Sequence, residues 1–192
     1  MAKIIDNLVV RGAAGSLGRQ VVLKRDRAGR TIISCMPQFA PDRVFTPAQL
    51  ARQALFRQAA AYAVGACHHP AYAALAAGTS RTAYNLAISD WHHPPEILGV
   101  DLQGWHGQPG EPIRIRALDD VLVTRVTVCI TADDGTPLEE GPAVQADGFW
   151  WQYTTVSSAP AEAQVRACAW DLPGHTGTLT VGRGQLAVDA DS

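Results

Sequence analysis

The sequence predicts an α+β protein: an N-terminal β-meander and a helical hairpin, followed by an antiparallel β-sandwich. Three observations point there. Short β-rich runs separated by Gly and Asp turns fill the first 36 residues, Ala-rich text with helix-start signals occupies residues 46–93, and alternating β text follows Pro94-Pro95-Glu96. The change of composition at that Pro pair predicts two domains, 1–95 and 96–192. At 192 residues, 47% hydrophobic and 18% charged, the chain can bury a real core and is neither disordered nor collagen-like.

The meander is expected as three strands. Residues 7–11 are β-rich, residues 12–18 (GAAGSLG) form a flexible turn or arm, and residues 20–25 (QVVLKR) alternate as a strand does. Asp26-Arg27-Ala28-Gly29 makes a turn with Gly where positive φ is needed, and residues 31–36 (TIISCM) run back until Pro37 and Pro41 end them. Such short strands, with six Lys and Arg between Arg11 and Arg30, need another element or another chain to cover them.

A helix should start with Thr46 as N-cap, Pro47 in the first turn and Gln49 completing a capping box, then run to about Ala66. Ala51, Leu55, Ala59 and Tyr62 form its apolar stripe, with Phe56, Ala60 and Ala63 beside it. Pro70 opens a second, short helix that Gly78 breaks. Thr79 or Ser80 caps a third, TAYNLAISDW, which stops before Pro94-Pro95.

Beyond the Pro pair, strands are expected at residues 97–102, 112–118, 121–131, 143–145, 149–156, 164–170 and 178–181. Seven short strands with regular turn signals indicate a sandwich. Val126, Val128 and Ile130 face one way while Thr127 and Cys129 face the other, and Asp133-Asp134-Gly135 supplies a hairpin turn.

The segments IRIRALDDVLVTRVTVCITADDG, WWQYTT and VRACAWDLPGH resemble the strand text of bacterial immunoglobulin-like or fibronectin-III-like domains. The resemblance covers residues 96–185, about half the chain, and residues 1–95 resemble no family of known activity. It implies an Ig-like sandwich and a binding, spacing or assembly module in place of a catalyst. The chain departs from the pattern at His175, where Asn is common, and in having no cysteine pair at inward positions. The resemblance makes the strand of Val126 to Ile130 and that of Val165, Ala167 and Ala169 neighbours in one sheet, with Cys129 and Cys168 on its outer face. Directly opposite, these two cysteines would lie within disulfide reach, bridged or as covered thiols; the alternative is two unrelated buried thiols.

The net charge of −2 conceals a division. Residues 1–95 hold 11 Lys and Arg against 4 Asp and Glu, a net of +7, and residues 96–192 hold 5 against 14, a net of −9. Opposite halves favour head-to-tail contact between copies, and nucleic acid is the other partner a basic half can take. No apolar run is long enough to span a bilayer, and the start MAKIID is not that of a signal peptide. That reading leaves the compartment open between the cytoplasm and export by a signal-independent route.

Chemistry-bearing patterns are sparse. Cys67-His68-His69 and Trp91-His92-His93 make Cys67, His68, His69, His92 and His93 the metal candidates, but adjacent ligands on a helix diverge, so the histidines are expected instead to cap helix carbonyls. There is no G-x-S-x-G elbow, and GAAGSLG lacks the G-K-[ST] ending of a phosphate loop. The acidic pairs Asp119-Asp120, Asp133-Asp134 and Glu139-Glu140 read as turn and solvation residues over calcium ligands. No cofactor is expected. Alternation should bury one of Trp150 and Trp151 and expose the other as an aromatic contact.

The resulting expectation is a non-enzymatic structural protein that self-assembles head to tail, into a ring or filament, by strand addition and charge complementarity. Its assembly residues would be Ile4, Ile5, Leu8, Val9, Val10, Arg11, Arg19, Lys24, Arg25, Arg27 and Arg30. The alternatives are a monomeric carbohydrate-binding or adhesin-like module using Trp91, Trp105, Trp150 or Trp151, and nucleic-acid binding through the basic half.

Overall fold

A computed structural model describes residues 2–4, 13–18, 20–26, 29–36, 38–40 and 42–183. The chain is α+β and divides into two compact units, residues 1–55 with 78–81 and residues 56–77 with 82–192. The division falls within a helix, α1 (Pro47–Ala66), whereas composition changes at Pro94-Pro95.

In the first unit β1 (Ala2–Ile4), β2 (Gly15–Leu17), β3 (Val21–Arg25) and β4 (Thr31–Cys35) form an antiparallel sheet in the order β1-β4-β3-β2. The β3–β4 turn follows from its sequence: Gly29 takes φ +77°, and the Asp26 carboxylate accepts from Arg30 N at 2.8 Å and Arg30 Nε at 2.6 Å. The predicted strand at residues 7–11 lies outside the described residues. The GAAGSLG segment is a strand at its centre and not a flexible arm: Ser16 and Leu17 pair with Val22 and Val21, while Gly15 and Gly18 take positive φ at its ends. At the start of α1 the capping box forms, with Gln49 N donating to Thr46 Oγ1 at 3.3 Å and Thr46 N to Gln49 Oε1 at 3.0 Å.

In the second unit the C-terminal half of α1 joins α2 (Pro70–Ala76) and α3 (Ala83–Trp91). Thr82, and not Thr79 or Ser80, caps α3: it is the residue placed three before Asn85, whose N–H its hydroxyl accepts at 2.9 Å. Ala63, Tyr72, Leu86 and Ala87 make a small core that extends to Val121 and Leu172, so the helices are seated on the loops of the β-sandwich that follows.

That sandwich has eight strands: β5 (Glu96–Asp101), β6 (Pro112–Leu118), β7 (Arg125–Thr131), β8 (Pro137–Pro142), β9 (Val144–Gln145), β10 (Trp150–Thr154), β11 (Gln164–Trp170) and β12 (Thr176–Gly182). The sheets run β5-β6-β10-β9 and β12-β11-β7-β8. Alternation fills the space between them: Ile113, Ile115 and Ala117 from β6, Val126, Val128 and Ile130 from β7, and Val165, Ala167 and Ala169 from β11 are all buried. Beyond shifts of one or two residues at strand ends, one boundary and one strand differ from expectation. Residues 121–124 precede β7 as a turn, because the Asp119 carboxylate accepts from Val121 N and Leu122 N at 2.9 and 2.8 Å. The unforeseen strand, β8, reads PLEEGP; its two Pro and two Glu disguise it, and they suit the sheet edge it occupies.

Cys129 and Cys168 share one face of the paired β7 and β11, but Cys129 lies opposite Arg166 and Cys168 opposite Thr127. The two are thus diagonal and not directly opposite, and both are free thiols.

Candidate functional site

The first unit is notable for what it leaves uncovered. Among those of its side chains that the structure describes, from residue 13 onward, only Thr31 is buried; Val21, Val22, Leu23, Ile32 and Ile33 are half-buried. Leu17 (68% exposed), Phe39 (68%) and Val44 (89%) project into solvent, and along α1 Leu50 and Leu55 are half exposed. Lys24, Arg25 and Arg30 add exposed positive charge, although Arg30 is paired with Asp26. Ile4 ends β1; Ile5, Leu8, Val9, Val10, Arg11, Arg19 and Arg27 lie outside the described residues.

The other chemistry-bearing candidates are absorbed by local structure. His69 Nδ1 accepts from Ala71 N at 3.3 Å and so caps the start of α2, not the end of α1. Cys67 Sγ donates to Val64 O, and His93 Nδ1 meets Asp120 Oδ2 at 2.7 Å. His92 is the C-cap residue of α3, and His68 is exposed. Among the described residues no group of three or more His, Cys, Asp or Glu is placed to hold a metal ion. Asp134 accepts from Thr136 N, which holds its carboxyl below the usual range, and Glu139 accepts from Val156 N and Ser157 N. Trp151 is buried in the core, whereas Trp150 lies on the outer face under the Arg114 guanidinium, 4.7 Å from its ring centroid. Trp105 is buried, and the Trp91 ring packs between Tyr62 (5.1 Å) and His175 (4.8 Å).

A polar cluster that sequence reasoning missed lies where the helices meet the sandwich. Tyr72 donates to Asp90 Oδ2 at 2.5 Å, and the Tyr62 and Tyr72 hydroxyls are 2.9 Å apart. Asp90 is fully buried, and burial pushes its carboxyl up to about 7 even though the Tyr72 hydrogen bond opposes the rise. Asp171, also buried, is raised by the same cause against the pull of the Gly174 and His175 N–H groups, at 2.7 and 2.6 Å, and of the His175 ring. Burial likewise raises both tyrosines. A signal was present: Ala83, Leu86, Ala87 and Asp90 fall at i, i+3, i+4 and i+7, so an acid occupies an apolar position of the stripe.

No protein family, curated protein or solved structure matches the chain.

Proposed function

We propose that the protein is a non-enzymatic structural module that associates with copies of itself, the first unit of one copy docking on the acidic sandwich of the next. The observation that carries this is a sheet whose strands β2, β3 and β4 bury a single side chain, that of Thr31. An isolated sheet is stable only when a hydrophobic face is covered, and here the valines, isoleucines and leucines of β3 and β4 are half-exposed while those of α1 add to the apolar surface. A second copy is the occupant that the charges favour, since residues 1–95 carry +7 and residues 96–192 carry −9. Strand addition at the open edge of β1 or β2 supplies the main-chain bonds. Because the two surfaces differ, the contact is heterologous and makes a ring or, where the rotation does not close, a filament. The sheet orders β5-β6-β10-β9 and β12-β11-β7-β8 support an immunoglobulin-like reading of the sandwich, an architecture widely used for spacing and binding.

Light scattering and negative-stain electron microscopy across protein concentration test the proposal. Species larger than a monomer should grow with concentration, and Leu50→Ser with Leu55→Ser should suppress them while the sandwich still melts cooperatively. A strict monomer at high concentration overturns it.

A further inference from the structure

Of the four edge strands of the sandwich, three carry features that discourage further pairing. β8 has two Pro and two Glu. β5 follows Pro94-Pro95 and is bulged between Ile97 and Gly99, and β12 runs so close to its start that a Cβ on Gly177 would meet the Pro95 carbonyl oxygen. β9 has no Pro, no charge and no bulge, and both its residues are exposed, Val144 by 72%. Ala146 N donates to Trp150 O at 2.9 Å toward β10, so by alternation the Gln145 N–H points away from β10, to the open side. β6 pairs with β10 from Trp150 to Thr154, but β9 pairs only with Trp151 and Gln152. Where β9 falls short lies an open groove of about 450 Å³ whose lining includes Pro142, Val144, Gln152, Tyr153 and Thr154.

We propose, resting on the self-association put forward above, that β9 is the acceptor edge and that β2 of a second copy is its occupant. The sheet β1-β4-β3-β2 of one copy then continues into the sheet β5-β6-β10-β9 of the next. β2 is a free edge of its own sheet, pairing only with β3 through Gly15, Ser16 and Leu17, and all three residues are exposed. A two-residue edge admits only a short partner, and β2 has three residues. Leu17, 68% exposed, supplies an apolar side chain for the groove beside Val144 and Tyr153. Charge favours the same pairing: Glu140 and Asp147, both exposed, flank β9 on either side in sequence, and Lys24 and Arg25 are exposed on β3, the strand next to β2. Because the two edges differ, each copy donates once and accepts once.

The test is sedimentation velocity of the full chain across concentration. Val144→Lys puts a charge on the acceptor edge and Leu17→Ser removes the donor's apolar side chain, both at exposed positions, so the sandwich transition should not move. Each variant alone should need a roughly tenfold higher concentration to associate, the share of one apolar side chain in an interface. Mixed in equal amounts, at a concentration where neither associates alone, they should form dimers and nothing larger. The intact β2 of the Val144→Lys variant can meet the intact β9 of the Leu17→Ser variant, and the product has no competent edge left. A wild type that associates while Val144→Lys associates equally well, or a mixture without dimers, overturns the β9 edge and leaves self-association standing; a monomeric wild type overturns both. Hydrogen exchange of the wild type decides without any variant: the Gln145 amide should gain protection as concentration rises, and unchanged exchange in the associated protein overturns the assignment.

Discussion

Ile115 in β6 and Ile33 in β4 are the same side chain on the same kind of strand, in opposite circumstances. Ile115 is fully buried between two sheets, while Ile33 is half-exposed on a sheet whose strands β2, β3 and β4 bury only Thr31. The second unit closes one core between its two sheets and a smaller one where the helices sit on the sandwich loops. The first has regular backbone pairing but, among its described side chains, no comparable interior. Hydrogen-bonded strands alone contribute little net stability, so a covering surface decides whether such a sheet persists.

The sharpest way to break the comparison is to truncate both residues. Ile115→Ala should cost about 2–5 kcal/mol in urea denaturation. Ile33→Ala should cost the cooperative transition of a dilute monomer less than about 1 kcal/mol, because less area leaves water, and should appear as weakened association at high concentration. Equal losses would show that both units are parts of one cooperative core. Next in size, Gly177→Ala places a Cβ 1.8 Å from the Pro95 carbonyl oxygen, where β12 runs close to the start of β5. The backbone must shift, and a loss of about 1–3 kcal/mol is expected from the same denaturation curves. Tyr72→Phe removes the hydroxyl that serves Asp90 and Tyr62 together; leaving a buried carboxylate oxygen short of a donor should cost about 1–3 kcal/mol.

Smaller effects belong to the first unit. Thr46→Ala deletes half of the capping box and should cost about 1 kcal/mol of local helix stability. Circular dichroism should record reduced helicity with the sandwich transition unmoved. The smallest effect concerns salt: exposed charges are screened over roughly 8 Å at physiological ionic strength, so the rate of association should fall as salt is added while the melting of the second unit stays constant. A rate indifferent to salt would make the +7 and −9 halves incidental to assembly.

Local signals in the chain carried much of the architecture. Thr46, Pro47 and Gln49 specify the start of α1 because a cap is satisfied within four residues, and the inward Val-x-Val-x-Ile of β7 specifies its buried face by the two-residue period of a strand. Where local text conflicted with position, it misled. β8 looks like loop because Pro and Glu are tolerated only at an edge, and edges are assigned by the assembled sheet. The pairing of Cys129 with Arg166, and not with Cys168, is likewise a matter of register between strands 33 residues apart at their matching ends, Thr131 and Gln164.

The candidate site divides in the same way. The charge asymmetry and the scarcity of covering residues around β3 and β4 are properties of composition, legible before any fold is known. The polar cluster is not: Asp90 and Asp171 look like ordinary surface acids, and Tyr62 and Tyr72 like core aromatics. Only the packing of three helices on two sandwich loops removes these carboxyls from water, and removal from water raises both, that of Asp90 to about 7. Sequence by itself determined the helices and the core strands, since those signals are local; tertiary structure decided the edge strands β2 and β8 and which polar groups lost their solvent, because pairing and desolvation depend on every neighbouring element.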